Sequence, residues 1–152
     1  WYGILAYGTD IEIRDNRIYH IGGRDSFAMG IRVGASTQPG ESRFYVVEHN
    51  TISDVVSPTN NGYGIYANNS IDSLYVDNRI AGTVSASGYS RWAMRVNGSA
   101  RNQVRGNHLV GTGSVWDVGV ETSSATDACF GNFIRADLPT FNCSTTYGNY
   151  DQ

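Results

Sequence analysis

Asp15-Asn16-Arg17-Ile18 is the stretch that decides the fold, because versions of it return along the whole chain. Each version has an asparagine two residues before a position that is apolar in five of the six copies. The later copies are His49-Asn50-Thr51-Ile52, Asp77-Asn78-Arg79-Ile80, Gly106-Asn107-His108-Leu109, Gly131-Asn132-Phe133-Ile134 and Gly148-Asn149-Tyr150-Asp151. The asparagines lie 34, 28, 29, 25 and 17 residues apart. Such a recurrence indicates one structural unit stacked on itself.

Other short patterns accompany each asparagine. Upstream lies a small residue followed by apolar-x-apolar, in Gly3-Ile4-Leu5-Ala6, Gly30-Ile31-Arg32-Val33, Gly64-Ile65-Tyr66-Ala67, Ala93-Met94-Arg95-Val96 and Gly119-Val120-Glu121-Thr122. A second alternating run leads into the asparagine, as in Ile11-Glu12-Ile13 and Leu74-Tyr75-Val76, and a third follows it, as in Ile18-Tyr19-His20-Ile21. The period of two in these runs predicts three short strands per repeat and almost no helix.

Three strands per repeat, stacked repeat on repeat, make a solenoid whose equivalent strands pair in parallel about 4.8 Å apart. We expect the asparagine at a sharp turn between the second and third strands, where it tolerates a left-handed backbone. The side-chain amides can bond the same amide in neighbouring coils, which predicts a structural ladder of Asn16, Asn50, Asn78, Asn107, Asn132 and Asn149. In the third repeat Val76 lies one residue nearer its asparagine than Ile13 does, so we expect a small bulge or slip there.

The G-I-x-V, V-x-I and N-x-I patterns resemble those of the right-handed parallel β-helix, the pectate-lyase-like superfamily. The resemblance covers essentially the whole chain and implies an all-β fold, a right-handed single-stranded parallel β-helix of about five to six coils. For function it implies a broad set: polysaccharide lyases, glycoside hydrolases, sugar epimerases, phage tailspikes and non-catalytic adhesin stalks. It therefore favours an extracellular, virion or cell-surface location.

Length and composition fit a single β-helix domain over residues 1–152. The chain has no Lys and a net charge of −3, which gives no basic field for nucleic acid. Its apolar runs are far shorter than the 18 or so residues of a membrane span. Trp1-Tyr2-Gly3-Ile4 already lies inside a repeat, so we expect a fragment or an uncapped part of a longer solenoid. Open strand rows at such ends could pair with another copy.

The two cysteines, Cys129 and Cys143, allow two interpretations. A disulfide between them would tie down the C-terminal end and would suit an exported protein. Two cysteines give no framework pattern, so two small buried apolar groups in adjacent coils are the alternative.

In the family that the chain resembles, the first strand and its flanking turns commonly form the groove for a sugar chain. The outward residues of that strand, which we call the stripe, are Leu5, Arg32, Tyr66, Arg95 and Glu121. Arginine forks onto a carboxylate, and tyrosine lies against a sugar ring. We therefore predict a site for a polysaccharide or other glycan, an acidic one by this chemistry, formed by Arg32, Tyr66, Asn68, Arg95, Asn97 and Glu121. An ordinary solvated face with scattered arginines is the alternative.

Catalysis has only weak candidates, which are Arg32, Arg95, Asp117 and Glu121. Glycoside hydrolysis needs two carboxylates about 5 to 10 Å apart, whereas four strand residues place Asp117 and Glu121 about 13 Å apart unless the turn folds Asp117 back. The resemblance implies that a lyase would use Arg32 or Arg95 as its base, often with calcium, but acidic calcium ligands are scarce on the stripe. The family's Trp-x-Asp-His, Arg-x-Pro-x-x-Arg, Asp-Asp and Asp-Pro-His-Glu motifs are missing. Whether the chain is a lyase, a hydrolase or no enzyme therefore stays open, and no other cofactor is expected.

Tryptophan and histidine residues near these features favour structural roles. Trp92 aligns with Tyr2, Met29, Tyr63 and Val118 in a register of inward parity, so we expect it to fill a corner of the core rather than to carry a sugar. The loops 22–28, 56–63 and 85–92 place Asp25 and Arg91 near the stripe. The histidines His20, His49 and His108 lie near the asparagine turn at unlike positions, so we expect turn residues and no metal site.

Two functions stay open on this evidence. The first is a carbohydrate-binding or polysaccharide-processing domain of an exported, phage or cell-surface protein. The second is a non-catalytic structural or assembly solenoid, such as a stalk or an adhesin. A stand-alone protein of a mobile element, of unknown role, is a weaker third.

Overall fold

The computed structural model describes residues 1–34, 42–85, 89–98, 100–110, 117–136, 138–143, 145–148 and 150–151. Over these ranges the chain is all-β, without helix, and none of it could cross a membrane as an apolar helix. The strands are β1 (Tyr2–Ala6), β2 (Glu12–Arg14), β3 (Arg17–Gly22), β4 (Ala28–Val33), β5 (Val46–Glu48), β6 (Thr51–Ser57), β7 (Gly62–Asn68), β8 (Leu74–Val76), β9 (Arg79–Ser85), β10 (Arg91–Asn97), β11 (Gln103–Arg105), β12 (His108–Val110), β13 (Asp117–Thr122), β14 (Ala128–Phe130), β15 (Phe133–Arg135), β16 (Leu138–Phe141), β17 (Thr145–Tyr147) and β18 (Tyr150–Asp151).

The strands form a parallel β-solenoid of about four turns. Every third strand joins the same sheet: sheet 1 has the order β1-β4-β7-β10-β13-β16, sheet 2 runs from β2 to β17, and sheet 3 runs from β3 to β18. The turns that begin at β1, β4, β7 and β10 hold most of the buried core. Sheet 2 keeps strands of three residues throughout, whereas in sheet 1 the strand length falls from six residues in β13 to four in β16.

The core is built from columns of side chains that stack from turn to turn. Sheet 1 contributes Ile31, Ile65, Met94 and Val120 in register, sheet 2 contributes Val47, Tyr75, Val104 and Cys129, and sheet 3 contributes Ile52, Ile80, Leu109 and Ile134. All of these are buried at the centre of the solenoid. The expectation of a bulge or slip at Val76 was wrong, because Tyr75 and not Val76 aligns with Ile13 through Val47. Tyr75 is fully buried, so no residue has to be absorbed.

Buried asparagines follow one another along the corner between sheets 2 and 3. The Nδ2 atom of Asn50 donates to Oδ1 of Asn78 at 3.0 Å, and Nδ2 of Asn78 donates to Oδ1 of Asn107 at the same distance. Each Oδ1 also accepts the backbone N–H of the preceding asparagine, as from Asn50 to Asn78 at 3.1 Å. Asn16 and Asn132 bond their neighbours in the same way. Asn149 lies outside the described residues.

The left-handed residue at this corner is the one before the asparagine. Asp15, His49 and Asp77 have φ angles of 57°, 54° and 51°, and Gly106 follows at 65°. The expectation that asparagine itself takes the left-handed conformation was therefore wrong. Its recurrence is explained instead by the amide, which satisfies buried backbone groups that the turn leaves without a strand partner.

A second polar row lies at the corner between sheets 1 and 2, and the sequence patterns did not indicate it. Ser73, Asn102 and Asp127 occupy the position just before the second strand, and all three are buried. Oδ1 of Asn102 accepts the Ser73 N–H at 3.0 Å, and Oδ1 of Asp127 accepts the Asn102 N–H at 2.9 Å. Side-chain amide and carboxyl groups thus replace backbone partners at two corners of each turn.

Cys129 and Cys143 form a disulfide. Cys129 is a buried core residue on β14, and Cys143 lies two residues before β17, the neighbouring strand of sheet 2. The first of the two interpretations of these cysteines is therefore correct. The bond closes a loop with a sequence separation of 14 residues and links two successive turns covalently.

We expect Asn78→Ala to lower the free energy of unfolding by about 3 kcal/mol, since it leaves several buried donors and acceptors without hydrogen-bond partners. The lost partners include the Asn50 N–H and the Val47 carbonyl, which accepts from Nδ2 of Asn78 at 2.8 Å. Urea denaturation followed by circular dichroism measures the change. Asn16→Ala is the matched control, because Asn16 is only partly buried and water can replace its amide, so its loss should be about 1 kcal/mol. Equal losses in the two variants would contradict a burial-dependent role.

Burial raises the pKa of the Tyr75 phenol, with the Ser70 hydroxyl bonded to it at 2.7 Å. Above the ordinary pKa of 10.0, the folded state therefore keeps a proton that the unfolded chain loses. The free energy of unfolding should fall as pH rises from about 10 toward the folded-state pKa. Tyr75→Phe should flatten this fall relative to the parent, measured by urea melts between pH 8 and pH 11. An unchanged slope in Tyr75→Phe would refute the assignment.

Candidate functional site

The stripe lies on the outer face of sheet 1 in the register expected from the sequence. Leu5, Arg32, Tyr66, Arg95 and Glu121 are neighbours on successive strands from β1 to β13. Asn68 and Asn97 are paired two residues further along, where Nδ2 of Asn97 donates to Oδ1 of Asn68 at 3.2 Å. All six predicted binding residues therefore lie on one face, across β4, β7, β10 and β13. Asn68 is buried, and the other five are partly exposed.

Trp92 is buried, but on the other side of sheet 1 from the solenoid core. It forms an outer cluster with Met29 and Tyr63, separate from the central core, and these three side chains are 7%, 4% and 3% exposed. Its indole Nε1 donates to Oε2 of Glu121, which places it beside the stripe. The inward position expected for Trp92 was therefore wrong.

Trp92 lies on the outer side because the alternation of inward and outward side chains along the strands of sheet 1 is interrupted. The interruption recurs in successive turns. A Cβ built on Gly64 would lie 2.3 Å from Cγ2 of the core residue Ile80, so position 64 faces inward, and the next residue, Ile65, is also fully buried. Two consecutive residues facing the core bring Tyr63 and Tyr66 to the same outer side, three residues apart. Glycine at this position, as in Gly30 and Gly64, leaves room for the isoleucine of sheet 3.

Aromatic rings and arginines form a chain of contacts across the outer face. Nη1 of Arg32 donates to the Tyr2 hydroxyl at 2.8 Å, and its guanidinium carbon lies 5.9 Å from the Tyr66 ring centroid. The Tyr66 and Tyr63 centroids are 4.9 Å apart, and Tyr63 stacks on Trp92, also at 4.9 Å, with an interplanar angle of 8°. These contacts fix the ring planes before any ligand binds, which lowers the entropy cost of recognition.

The two arginines of the stripe differ in their electrostatic partners. Arg95 lies 4.7 Å over the Trp92 ring and is paired with Oε1 of Glu121 at 3.1 Å, whereas Arg32 contacts tyrosines and has no carboxylate partner among the described residues. The Nε atoms of Arg32 and Arg95 are both buried, and neither has a hydrogen-bond partner among the residues that the structure describes. Arg32 is therefore the stripe cation whose charge is left uncompensated.

The loops that precede the strands of sheet 1 cover one side of the outer cluster. The Phe27 ring lies 6.1 Å from the Tyr63 ring, and Nδ2 of Asn61 donates to the Tyr63 hydroxyl at 3.2 Å. Burial raises the pKa of the Tyr63 phenol, opposed in part by Asn61 and Arg95. Asp25 is exposed on the first of these loops, and Arg91 opens β10. The loops thus support the rings and leave Tyr66 as the accessible aromatic side chain of the stripe.

The catalytic candidates are mostly occupied by other contacts. Both carboxylate oxygens of Glu121 are engaged, one by Arg95 and one by Trp92. The backbone of Asp117 pairs with Arg91 at the start of β13, while its side chain lies outside the described part. Arginine strongly favours its protonated form in proteins, and a role of Arg32 or Arg95 as a base stays a prediction.

The histidines lie in separate local contacts. His20 Nδ1 is 3.3 Å from Oδ2 of Asp54, His49 Nε2 is 3.7 Å from Oδ2 of Asp77, and the His108 ring stacks on Phe133 with centroids 4.7 Å apart. Over the described ranges, no three His, Cys, Asp or Glu side chains converge on one point.

Chemically, the outer face of sheet 1 can recognise a ligand: it offers a ring face, a cation and two amides on a rigid support. Comparison with protein-family models, with characterised proteins and with solved structures finds no match to this chain. The argument for function therefore starts from the geometry of this face.

We expect the Arg95–Glu121 pair to couple by about 1 kcal/mol in a double-mutant cycle of Arg95→Met and Glu121→Gln, since partial burial strengthens it over a surface pair. The side chains are 27% and 17% exposed. Urea melts at low and high salt give the coupling energy, which should change little with salt. The exposed Arg101–Asp72 pair is the control, and salt should weaken its coupling more strongly. A coupling near zero for the stripe pair would show that Glu121 is held by other contacts.

Proposed function

We propose that this chain is a carbohydrate-binding domain that holds an extended glycan on the outer face of sheet 1. The observation that carries the proposal is the chain of contacts from Tyr2 and Arg32 through Tyr66, Tyr63 and Trp92, which pre-arranges a cation beside ring faces. Sugars are bound by such surfaces because apolar C–H faces lie on aromatic rings while polar groups take the hydroxyls.

The contacts favour an acidic sugar at Arg32. Its guanidinium has no carboxylate partner among the described residues, so an incoming carboxylate would meet an uncompensated charge. Tyr66 is the next residue of the stripe, about 4.8 Å away, and would carry the sugar ring. Asn97 lies further along the same face, partly exposed, and would bond hydroxyl groups, while the buried Asn68 holds it in place. Arg95 and Glu121 satisfy each other and would serve mainly to hold Trp92 and the ring stack.

We further propose that the solenoid is the right-handed form of the parallel β-helix, with five to six coils and one amide ladder that continues through Asn149. Each sheet has six strands, which supports the number of coils. Crossovers between parallel strands of one sheet are right-handed in about 98% of cases, which supports the hand. The amide bonds between Asn16, Asn50, Asn78, Asn107 and Asn132 support the ladder. A place in the pectate-lyase-like superfamily is part of the same proposal.

We propose binding and assign no reaction. Hydrolysis would require a second carboxylate near Glu121, whose own two oxygens are already engaged. Elimination would require a base, and the arginines of the stripe keep their protons. Polysaccharide processing, with or without calcium, stays the less supported form of the hypothesis.

An exported, virion or cell-surface location belongs to the proposal. The Cys129–Cys143 disulfide supports it, because such bonds persist outside the reducing cytosol. The partner would be a glycan of the surroundings, and nucleic acid and membrane are not part of the proposal. Further coils or a second copy could pair with the outermost strands of the sheets.

A structural solenoid without a sugar site is the second candidate. The observation that favours it is the burial of Met29, Tyr63 and Trp92 in the outer cluster, which suits a packing seam that stiffens sheet 1. On this interpretation the aromatic residues stabilise the stack of turns and contact no ligand.

A glycan array, followed by titration calorimetry with polygalacturonate, separates the two candidates. For a binding domain we expect Arg32→Ala and Tyr66→Ala each to weaken polyuronate binding by tenfold or more. Arg32→Ala removes one charge-assisted hydrogen bond, and Tyr66→Ala removes one ring contact. Arg101→Ala, at an exposed pair on another corner, is the matched control and should bind like the parent. Thermal melts of the same variants report on folding.

Each result of this experiment favours one candidate. Binding that survives in both stripe variants would refute the site on sheet 1. Absence of binding to all glycans, together with lower melting temperatures in both variants, would favour the structural solenoid.

A further inference from the structure

Sheet 3 has an outer face of its own, which the stripe does not reach. Two columns of outward residues run along it: Arg17, Thr51, Arg79, His108 and Phe133 in one, and Tyr19, Ser53, Ala81, Val110 and Arg135 in the other. We call these ten residues the arginine face. Arg17, Arg79 and Arg135 are exposed on it.

The positive charges of the arginine face are not compensated by the protein. Arg17, Arg79 and Arg135 form no ion pair or side-chain hydrogen bond with the residues that the structure describes, whereas Arg14 and Arg101 are paired with carboxylates. Over the described strands of sheet 3 the acidic residues are Asp54, whose carboxylate lies 3.3 Å from His20, and Asp151 on β18, which pairs with the inward residue Ile134. A chain of net charge −3 thus carries a locally cationic sheet face.

A surface depression lies at one end of the arginine face. Arg17, Tyr19, Thr51 and Ser53 line it, together with Ile18. The Tyr19 side chain is 62% exposed and offers its ring, while the two hydroxyls can donate to or accept from a ligand. This combination of one cation, one ring and two hydroxyls suits a sugar unit that carries an anionic group.

Further along the same face, His108 stacks on Phe133 with an interplanar angle of 8°. The Nδ1 atom of His108 is buried and has no hydrogen-bond partner among the described residues. In the same column Arg79 is the register neighbour of His108. The flat ring pair therefore continues the polar and aromatic surface that begins at Tyr19.

The spacing of the arginines is set by the solenoid itself. Arg17 and Arg79 are separated by two strand spacings, about 10 Å, along the axis of the stack. Arg135 lies two strands beyond Arg79 and two residues along the strand, about 12 Å away. The backbone therefore sets these arginines in a row at intervals of about 10 to 12 Å, which suits a partner with anionic groups repeated along an extended chain.

We propose that the arginine face is a second binding surface, and that it takes an anionic polysaccharide bearing sulfate or carboxylate groups, laid along the solenoid axis. Three exposed arginines on an acidic chain are too few for nucleic acid, whose affinity grows with the number of phosphates neutralised. An anionic membrane is recognised by denser clusters of four to eight basic residues. Tyr19, Thr51 and Ser53 add the ring and hydroxyl contacts that a sugar chain uses. The surface is independent of the proposed site on sheet 1.

Heparin, a sulfated polysaccharide, is the probe for this surface, and titration calorimetry at two salt concentrations is the measurement. We expect the double variant Arg17→Gln/Arg79→Gln to lose affinity for heparin by tenfold or more, with a smaller dependence on salt. Arg101→Gln removes one positive charge at another corner and should stay within twofold of the parent. The loss caused by Arg17→Gln/Arg79→Gln should be of the same size in an Arg32→Ala background, which separates this surface from the stripe. Circular dichroism melts should be unchanged, because Arg17 and Arg79 are exposed.

Four outcomes would overturn the proposal. These are no binding of heparin by the parent, equal weakening by Arg101→Gln, and weakening by Arg32→Ala alone, which would move heparin to sheet 1. The fourth is equal affinity for heparin, duplex DNA and phosphatidylserine vesicles, because a nonspecific cationic patch would then explain the binding.

Discussion

The hydrogen bonds between buried asparagine side chains of successive turns are the constraint on which the rest of the solenoid depends. Each amide bonds the backbone of the turn before it and the amide of the turn after it, so a slip by one residue would break several buried bonds together. A slip would also exchange the inner and outer faces of a strand. With the register held, Ile52 and Ile80 stack in the core, and Arg32 and Tyr66 stack on the outside.

The outer faces of sheets 1 and 3 use the same residue types in opposite ways. On sheet 1, Arg95 is matched by Glu121 and covers Trp92, so that polar and aromatic groups mostly satisfy each other. On sheet 3, Arg17 and Arg79 project without carboxylate partners among the residues that the structure describes. A face whose side chains pair with one another is rigid and has a fixed shape. A face with unpaired positive charges attracts anions over a longer range. The two binding proposals rest on this difference between the faces.

Much of the fold could be predicted because the information is local and repeated. An apolar residue at every second position, a small residue before it and an asparagine at each corner indicate short strands without any knowledge of distant contacts. The stripe followed from the same register, so that Arg32, Tyr66 and Arg95 could be placed side by side from the sequence. In a parallel stack, residues at equivalent positions of successive repeats become neighbours on adjacent strands, so aligning the repeats predicts their contacts.

What the sequence could not indicate depends on contacts between strands of different sheets. Two consecutive inward residues, such as Gly64 and Ile65, look like ordinary alternation until Ile80 is seen to fill the space above the glycine. Because of that irregularity, Trp92 lies on the outer side of sheet 1 and not on the inner side that the alternation predicted. Polar residues gave little signal either, because Asn102 and Asp127 resemble loop residues in the sequence and are buried corner groups in the fold. The partners of each arginine also required the distances between side chains.

The covalent link between Cys129 and Cys143 has a mechanical consequence. In a stack where each turn contacts mainly its neighbours, damage spreads from an end by peeling off one turn at a time. The sulfur bridge joins β14 to the segment just before β17, so these two turns stay tethered even when the hydrogen bonds between them open. Tethered turns reclose faster than free ones, since the chain has less space to explore. The bridge therefore acts as a covalent latch that resists local separation of the two turns.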